Sequence, residues 1–335
     1  MTSSPATPVG ILGLGAYVPE RVMTNEDWGR LVDTTDQWIR ERTGIARRRF
    51  AAEDETTVDM AEAAARRALA DAGLGVEDLD EIVVATDTPE VYIPDTSAFL
   101  QHRLGAREVP AYDLAGSGCA GFLQAVDVAF SRARETPRRV LVVAVELLSR
   151  LMNWQDRSTC VLFGDAAGAA VVGPAPPGGR AVEKLAAVAG TDGLHAGILT
   201  LETGGTRRPF SLEAAQAGLH KDIVMNGRAV FREAVTRMSE ASREVLRRAG
   251  VAVADLALVV PHQANARILE AVRQQLDLPA EKLFTNVEEY GNTGSASVPL
   301  ALVQAREGGR IAEGDLVLAT AFGAGFHWGA MLLRF

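Results

Sequence analysis

The chain has 335 residues, 47% of them hydrophobic, with 34 basic and 43 acidic side chains for a formal charge of −9. That length sustains one large two-part domain, or two fused ones, around a well-buried core. The acidic balance leaves no basic stripe or arm, so nucleic acid is not expected as a partner.

The N-terminal stretch MTSSPATPVGILGLGAYVPE carries no Lys or Arg, and its apolar run is cut by glycines and closed by Pro19. Neither a secretion signal nor a spanning helix fits, so a cytoplasmic location with no membrane partner is expected. The glycines of GLGAYVPE lack the third glycine of a dinucleotide fingerprint, and Pro19 stands where a phosphate-binding helix would begin. The carboxylates of Glu53, Asp54 and Glu55 read as a solvated loop. Two cysteines, Cys119 and Cys160, form neither a disulfide framework nor a Cys/His ligand spacing, so no metal is expected.

Segments 65–90 (ARRALADAGLGVEDLDEIVVATDTPE) and 242–267 (SREVLRRAGVAVADLALVVPHQANAR) repeat one plan: an amphipathic helix ending in Ala-Gly, an acidic connector, then a Val-rich strand. Each half continues with a second strand, turn and helix, at VPAYDLAGSGCAGFLQAVDVAF and LFTNVEEYGNTGSASVPLALVQA. Each then adds apolar strands about a glycine turn, at CVLFGDAAGAAVVG and DLVLATAFGAGFHWGAMLLRF. Short apolar runs alternating with helices predict an α/β fold of two duplicated halves, residues 8–174 and 180–335, with sheets stacked between helix layers. The Pro/Gly-rich GPAPPGGR, 173–180, marks the boundary.

Cys119 lies between a predicted strand, AYDL, and a predicted helix, AGFLQAVDVAFSRA, on a turn of small residues. At a helix N-terminus, unpaired N–H groups and the macrodipole favour an anion, which predicts a lowered thiol pKa and a nucleophile. A buried structural cysteine is the alternative. His262 follows the buried strand of VVPHQAN, and Asn292 occupies the glycine turn of YGNTGSAS. All three stand beyond the carboxyl ends of strands, where ligands gather in α/β sheets.

With these motifs and GAYVPERVMTN, DTTDQWIRERTGI, FGDAAGAAVV, MNGRAVF and AFGAGFHWGAMLLRF in order, the chain resembles the β-ketoacyl-acyl-carrier-protein synthase III family. The resemblance implies a thiolase-like fold in a layered αβαβα arrangement, a homodimer, and the initiating condensation of fatty-acid synthesis. It also implies acyl-CoA and malonyl-carrier protein as substrates, with no cofactor. It assigns Cys119, His262 and Asn292 as catalytic residues, with the backbone N–H groups of Cys119 and Ala324 holding the oxyanion. Trp38 and Arg157 would sandwich adenine, Arg42 would meet the phosphates, Thr34 and Asn265 would add polar contacts, and Phe163 would line the acyl site. Helix packing for Trp38 and core packing for Phe163 are the alternatives.

An acidic carrier protein calls for a local basic surface, for which Arg228, Arg232, Arg267 and Arg273 on two predicted helices are candidates. An ordinary solvated face is the alternative. The chain departs from the family pattern at Gln274 and Gln275, where lysines are common, at His327, where a small hydroxyl residue is common, and at Ile93, where an aromatic often reaches across the dimer. A packed neutral imidazole is expected at position 327, and the smaller Ile93 leaves room for a longer or branched starter. Two competing functions are a synthase-III-like acyltransferase of a secondary-metabolite pathway and a non-catalytic acyl-carrier-binding subunit. The intact Cys119, His262 and Asn292 set argues against the second.

Overall fold

The Ala-rich helix Thr57–Ala72 shows how this sequence builds its layers. Thr56 and Asp59 close a capping box at its start, and Gly73, at φ 65°, ends it in the left-handed conformation that glycine adopts without strain. Met60, Ala61, Ala64, Ala65 and Ala68 recur at helical spacing and are fully buried. They lie so close to the strand Val9–Tyr17 that a Cβ on Gly15 would stand 2.4 Å from the Ala64 carbonyl oxygen, and one on Gly13 2.3 Å from that of Ala68. The glycines of the GLGAY stretch therefore serve strand–helix packing.

The protein is described by a computed structural model covering residues 8–175, 180–221 and 223–335. Its main sheet contains β1 (Val9–Tyr17), β2 (Glu81–Thr86), β3 (Ala111–Ala115), β4 (Val140–Leu147) and β5 (Asp165–Pro174) from the first half. The second half supplies β6 (Val182–Thr191), β7 (Leu258–Pro261), β8 (Leu316–Gly323) and β9 (His327–Arg334). The order across the sheet is β7-β8-β9-β6-β1-β5-β4-β2-β3.

The duplication is visible in the pairing. In the first half β2 runs parallel to both β3 and β4, then β4, β5 and β1 alternate in direction. In the second half β7 runs parallel to β8, then β8, β9 and β6 alternate in the same way. The expected second strand of this half does not form. It is reduced to a bridge between Val259 and Leu283, with Phe284 N–H donating to the Val259 carbonyl at 2.9 Å. Among the described residues the two sets pair at Gly10–Glu183 and Ile11–Val182.

Helices fill the layers. Between the two sets lie α1 (Gly121–Glu135) and α2 (Ser297–Glu307), whose apolar residues share one buried cluster with strands of both halves. Val298, Leu300, Ala301, Leu302 and Val303 are buried around the whole circumference of α2, as a central helix requires. One outer layer is the Thr57–Ala72 helix; the other combines Gly227–Ala249 with Ala266–Gln275. The arrangement is the expected αβαβα. Of the expected boundary at 173–180, residues 176–179 lie outside the described residues.

Because Gly15 has no room for a side chain, Gly15→Ala should cost about 1–3 kcal/mol through overpacking. A lowered chemical-denaturation midpoint with an unchanged slope would show it.

Candidate active site

At the carboxyl end of β3 the chain turns through Gly116, Ser117 and Gly118 into the helical turn Gly118–Ala120 that leads to α1. Ser117 Oγ donates to the Leu114 carbonyl at 2.9 Å, and Gly118 takes φ 57°, which L side chains rarely adopt. A second turn, Gly323–Gly325 between β8 and β9, comes from the other half and packs directly on the first. A Cβ on Gly118 would stand 2.8 Å from the Ala324 nitrogen, and one on Gly323 would stand 2.3 Å from the Cys119 nitrogen. Two missing side chains thus let the backbones of Cys119 and Ala324 approach each other.

Cys119, Ala324 and Asn292 line one cavity of about 780 Å³, within the usual range of a small-molecule site. Asn292 is fixed by its backbone, which donates to the Leu162 carbonyl at 2.8 Å and accepts from Gly164 at 2.9 Å. Its Oδ1 accepts from Gly294 N–H at 2.9 Å, leaving the Nδ2 group without a hydrogen bond among the described residues.

His262, just past β7, is 3% exposed and is not among the cavity-lining residues. Its N–H donates to the Thr320 carbonyl at 2.7 Å, and Nδ1 lies 2.6 Å from Ser297 Oγ. Burial pushes its pKa down to about 3, so the imidazole is neutral and able to donate a hydrogen bond without a buried charge. Its buried neighbour Gln263 braces this corner, donating to the Pro261 carbonyl at 2.8 Å and accepting from Asn286 N–H at 2.9 Å.

The expectation of an ionised resting thiol is corrected. Burial, followed by the carboxyls of Asp87 and Glu146, pushes the Cys119 thiol up from its ordinary value. Desolvation and two acidic neighbours outweigh the helix terminus. The second cysteine, Cys160, is buried and its thiol is also pushed up by burial.

Phe163, 6% exposed, lines the interior, while Trp38, Arg42, Asn265 and Arg267 line the cavity further out. Asn265 caps helix Ala266–Gln275 through Arg267 N–H and donates to the Arg42 carbonyl at 3.1 Å, joining two walls. The expected adenine slot is closed. The Arg157 guanidinium lies 5.1 Å from the Trp38 ring centre, a direct contact, and Arg42 lies 4.5 Å from it. A base would have to displace Arg157 from its hydrogen bond to the Asp33 carbonyl, 2.6 Å long. Thr34 does not line the cavity, and its buried hydroxyl has no hydrogen-bond partner among the described residues.

The four candidate docking arginines divide. Arg228 and Arg267 are exposed and make no ion pair among the described residues. Arg232 lies 3.3 Å from Glu233, and Arg273 forks onto Glu270 at 2.6 Å and donates to the Leu278 carbonyl. Arg273 is therefore a poor docking cation, because its charge is already matched.

His327 is held by a 2.8 Å contact between Nδ1 and Thr191 Oγ1, and its ring lies against Gly325. Ile93 is 79% exposed. Glu55 departs from the solvated-loop reading, since it accepts the Tyr17 hydroxyl at 2.5 Å. Among the described residues no three or more His, Cys, Asp or Glu are placed to hold a metal, and no helix is long and apolar enough to cross a membrane.

Sequence reasoning missed Ser297, Gln263, Asp87 and Glu146. Asp87 stands beyond the end of β2, so the strand-end rule that found His262 could have found it.

A methyl on residue 323 would drive the two turns apart. Gly323→Ala should reduce Cys119-dependent turnover by at least about 10²-fold, the scale set by losing one oxyanion donor, while circular dichroism stays unchanged.

Residues 112–193 match the family model described as 3-oxoacyl-[acyl-carrier-protein (ACP)] synthase III, and residues 246–335 match its C-terminal counterpart. The β-ketoacyl-[acyl-carrier-protein] synthase III of Symbiobacterium thermophilum is 49% identical, covering 98% of each chain. That of Oleidesulfovibrio alaskensis is 48% identical over 97% of this chain and 98% of its own. The crystal structure of the Thermus thermophilus synthase III superposes with a TM-score of 0.89 at 45% identity, covering 97% of this chain and 99% of that one.

Proposed function

The chain belongs to the 3-oxoacyl-[acyl-carrier-protein] synthase III family, and from that premise we propose that Cys119, His262 and Asn292 carry its reaction. It is an acyltransferase, a β-ketoacyl-ACP synthase III with a thiolase-like fold. The observation that carries the assignment of residues is the convergence of Cys119, Asn292 and Ala324 on one cavity, with neutral, buried His262 two and three residues before the cavity-lining Ala264 and Asn265.

In the first stage Cys119 Sγ attacks the thioester carbonyl of acyl-CoA, and the CoA thiolate leaves. The N–H groups of Cys119 and Ala324 hold the tetrahedral oxyanion. In the second stage malonyl-carrier protein loses CO₂, and its enolate is stabilised by hydrogen bonds from His262 and Asn292 Nδ2. The enolate carbon then attacks the acyl-Cys119 carbonyl and the sulfur departs. Neutral donors suit this step because they meet a transient charge without burying a permanent one. No cofactor is required.

Trp38, Arg42 and Asn265 are the CoA contacts best supported by their positions on the cavity. Arg157 joins them once it swings off the indole, while Thr34 has the weakest support. Phe163 bounds the acyl site. Arg228 and Arg267 are taken as the carrier-protein cations. We take the halves as residues 8–174 and 180–335, the location as cytoplasmic, and the working unit as a homodimer. Tyr92 and Ile93, 77% and 79% exposed in the single chain, form apolar surface that a second copy would cover.

Incubation with acetyl-CoA should add one acetyl mass to the intact protein, localised to Cys119 and lost in Cys119→Ala. His262→Ala and Asn292→Ala should each lower condensation by about 10²–10³-fold yet still self-acylate. Loss of acylation in both would contradict their assigned stage. For the carrier protein, Arg267→Glu should raise KM for malonyl-carrier protein and weaken its salt dependence, whereas Arg273→Ala should change neither much.

A further inference from the structure

Close to Asn292 stands a buried cation that does not line the cavity. Arg48, on the short strand Arg47–Phe50, is 0% exposed. Among the described residues it makes no ion pair, and its Nε has no hydrogen-bond partner. Taking a charge out of water with no carboxylate to meet it is costly, and an apolar side chain would fill the same space at lower cost. We propose that Arg48 is a positioning residue for the condensation stage: its guanidinium fixes the segment Val161 to Gly164, and that segment sets where the Asn292 amide stands. This rests on the reading of Asn292 as a hydrogen-bond donor to the enolate.

The contacts run from one residue to the other without a gap. Arg48 Nη2 donates to the Val161 carbonyl. On the next residue the Leu162 carbonyl accepts the Asn292 N–H at 2.8 Å, and the Gly164 N–H donates to the Asn292 carbonyl at 2.9 Å. Residues 162 and 164 therefore grip Asn292 on both sides of the Phe163–Asn292 bridge. The stem of Arg48 lies against the same turn, since a Cβ on Gly164 would stand 3.1 Å from the Arg48 Cβ and one on Gly291 3.5 Å from it. Gly291 itself takes φ 64°, and a Cβ there would stand 2.6 Å from the Leu162 carbonyl oxygen.

The other arm of the guanidinium is held as firmly. Nη1 donates to Asn25 Oδ1 at 2.6 Å. Asn25, 1% exposed, donates through Nδ2 to the Ile45 carbonyl at 2.7 Å and to Asp36 Oδ1 at 2.8 Å. Asp36 opens the helix Asp36–Thr43, which carries Trp38 and Arg42. The Asn292 turn thus hangs from the same buried network as the outer wall of the cavity. Cys119 stands on the turn after β3, and no hydrogen bond among the described residues joins it to Arg48. Loss of the guanidinium should therefore displace Asn292 and spare the nucleophile.

Two rates test this: acetylation of Cys119 by acetyl-CoA, followed by intact mass, and single-turnover condensation of the preformed acetyl-enzyme with malonyl-carrier protein. Arg48→Met should acetylate at the parent rate and condense about 10²-fold more slowly, the scale of a small misplacement at the reacting centre. Arg48→Lys, which keeps the charge and one donor, should recover part of the condensation rate. Arg48→Met combined with Asn292→Ala should condense no more slowly than Asn292→Ala alone, because residues that act through one another are not additive. Arg48→Met that condenses as fast as the parent, or that loses acetylation and condensation alike, overturns the proposal. A double variant whose loss is the product of the two single losses overturns it too.

Should Arg48→Met not fold, Arg48→Lys decides by the same two rates. Slower condensation with acetylation unchanged supports the proposal, and unchanged condensation or a shared loss overturns it. Asn292→Ala that condenses at the parent rate contradicts the reading of Asn292 and the proposal with it. That outcome is distinct from a slow Asn292→Ala beside an unaffected Arg48 variant, which removes the proposal alone.

Discussion

Two glycine turns pressed backbone to backbone form the constraint on which the site depends. The turn before Cys119 comes from one half of the chain and the Gly323–Gly325 turn from the other, and Gly118 and Gly323 leave no atom between them. In the proposed reading this contact sets the spacing of the Cys119 and Ala324 N–H groups that would hold the oxyanion. A pair of donors at fixed spacing stabilises a developing oxyanion without reorganising, which is the source of its catalytic value. The sheets, the central helices α1 and α2 and the buried seam between the halves serve to hold that contact in place.

The electrostatic character of the site follows from burial. It contains a neutral thiol, a neutral imidazole, an amide, the buried carboxyl of Glu146 and the half-buried one of Asp87, and its cations stand further out, at Arg42 and Arg267. Such an interior favours transient negative charge where hydrogen-bond donors are aimed and penalises a standing one. The sulfur is therefore kept quiet until substrate brings a carbonyl to the donors. Phosphate-bearing CoA and an acidic carrier would meet positive charge at the entrance and apolar walls beyond it.

Much of this was legible in the sequence. Cys119, His262 and Asn292 stand out because each follows an apolar run and sits among small or turn-forming residues, and strand ends in α/β folds are where ligands collect. The repeated helix, Ala-Gly, acidic connector and Val-rich strand gave the duplication, since the left-handed helix end and the buried strand are local features. The state of the thiol was not legible. It depends on Asp87 and Glu146, far from Cys119 in sequence, and on desolvation that exists only after folding. The contact of Arg157 with Trp38 and the position of Thr34 off the cavity were not legible for a similar reason, because side-chain contacts across loops have no local signature. Arg273 is different: Glu270 stands three residues earlier on the same helix, so their pairing could have been read from spacing alone. The strand expected at Leu283 shrank to a bridge because its apolar run is only Leu283 and Phe284 before polar Thr285 and Asn286.

The most direct trial of the central claim is a crystal structure of the protein after exposure to acetyl-CoA. The account predicts an acetyl group bonded to Cys119 Sγ, with its carbonyl oxygen between the backbone N–H groups of Cys119 and Ala324 and its methyl toward Phe163. An acetyl group on another residue, or a carbonyl turned away from the Gly323–Gly325 turn, would contradict it.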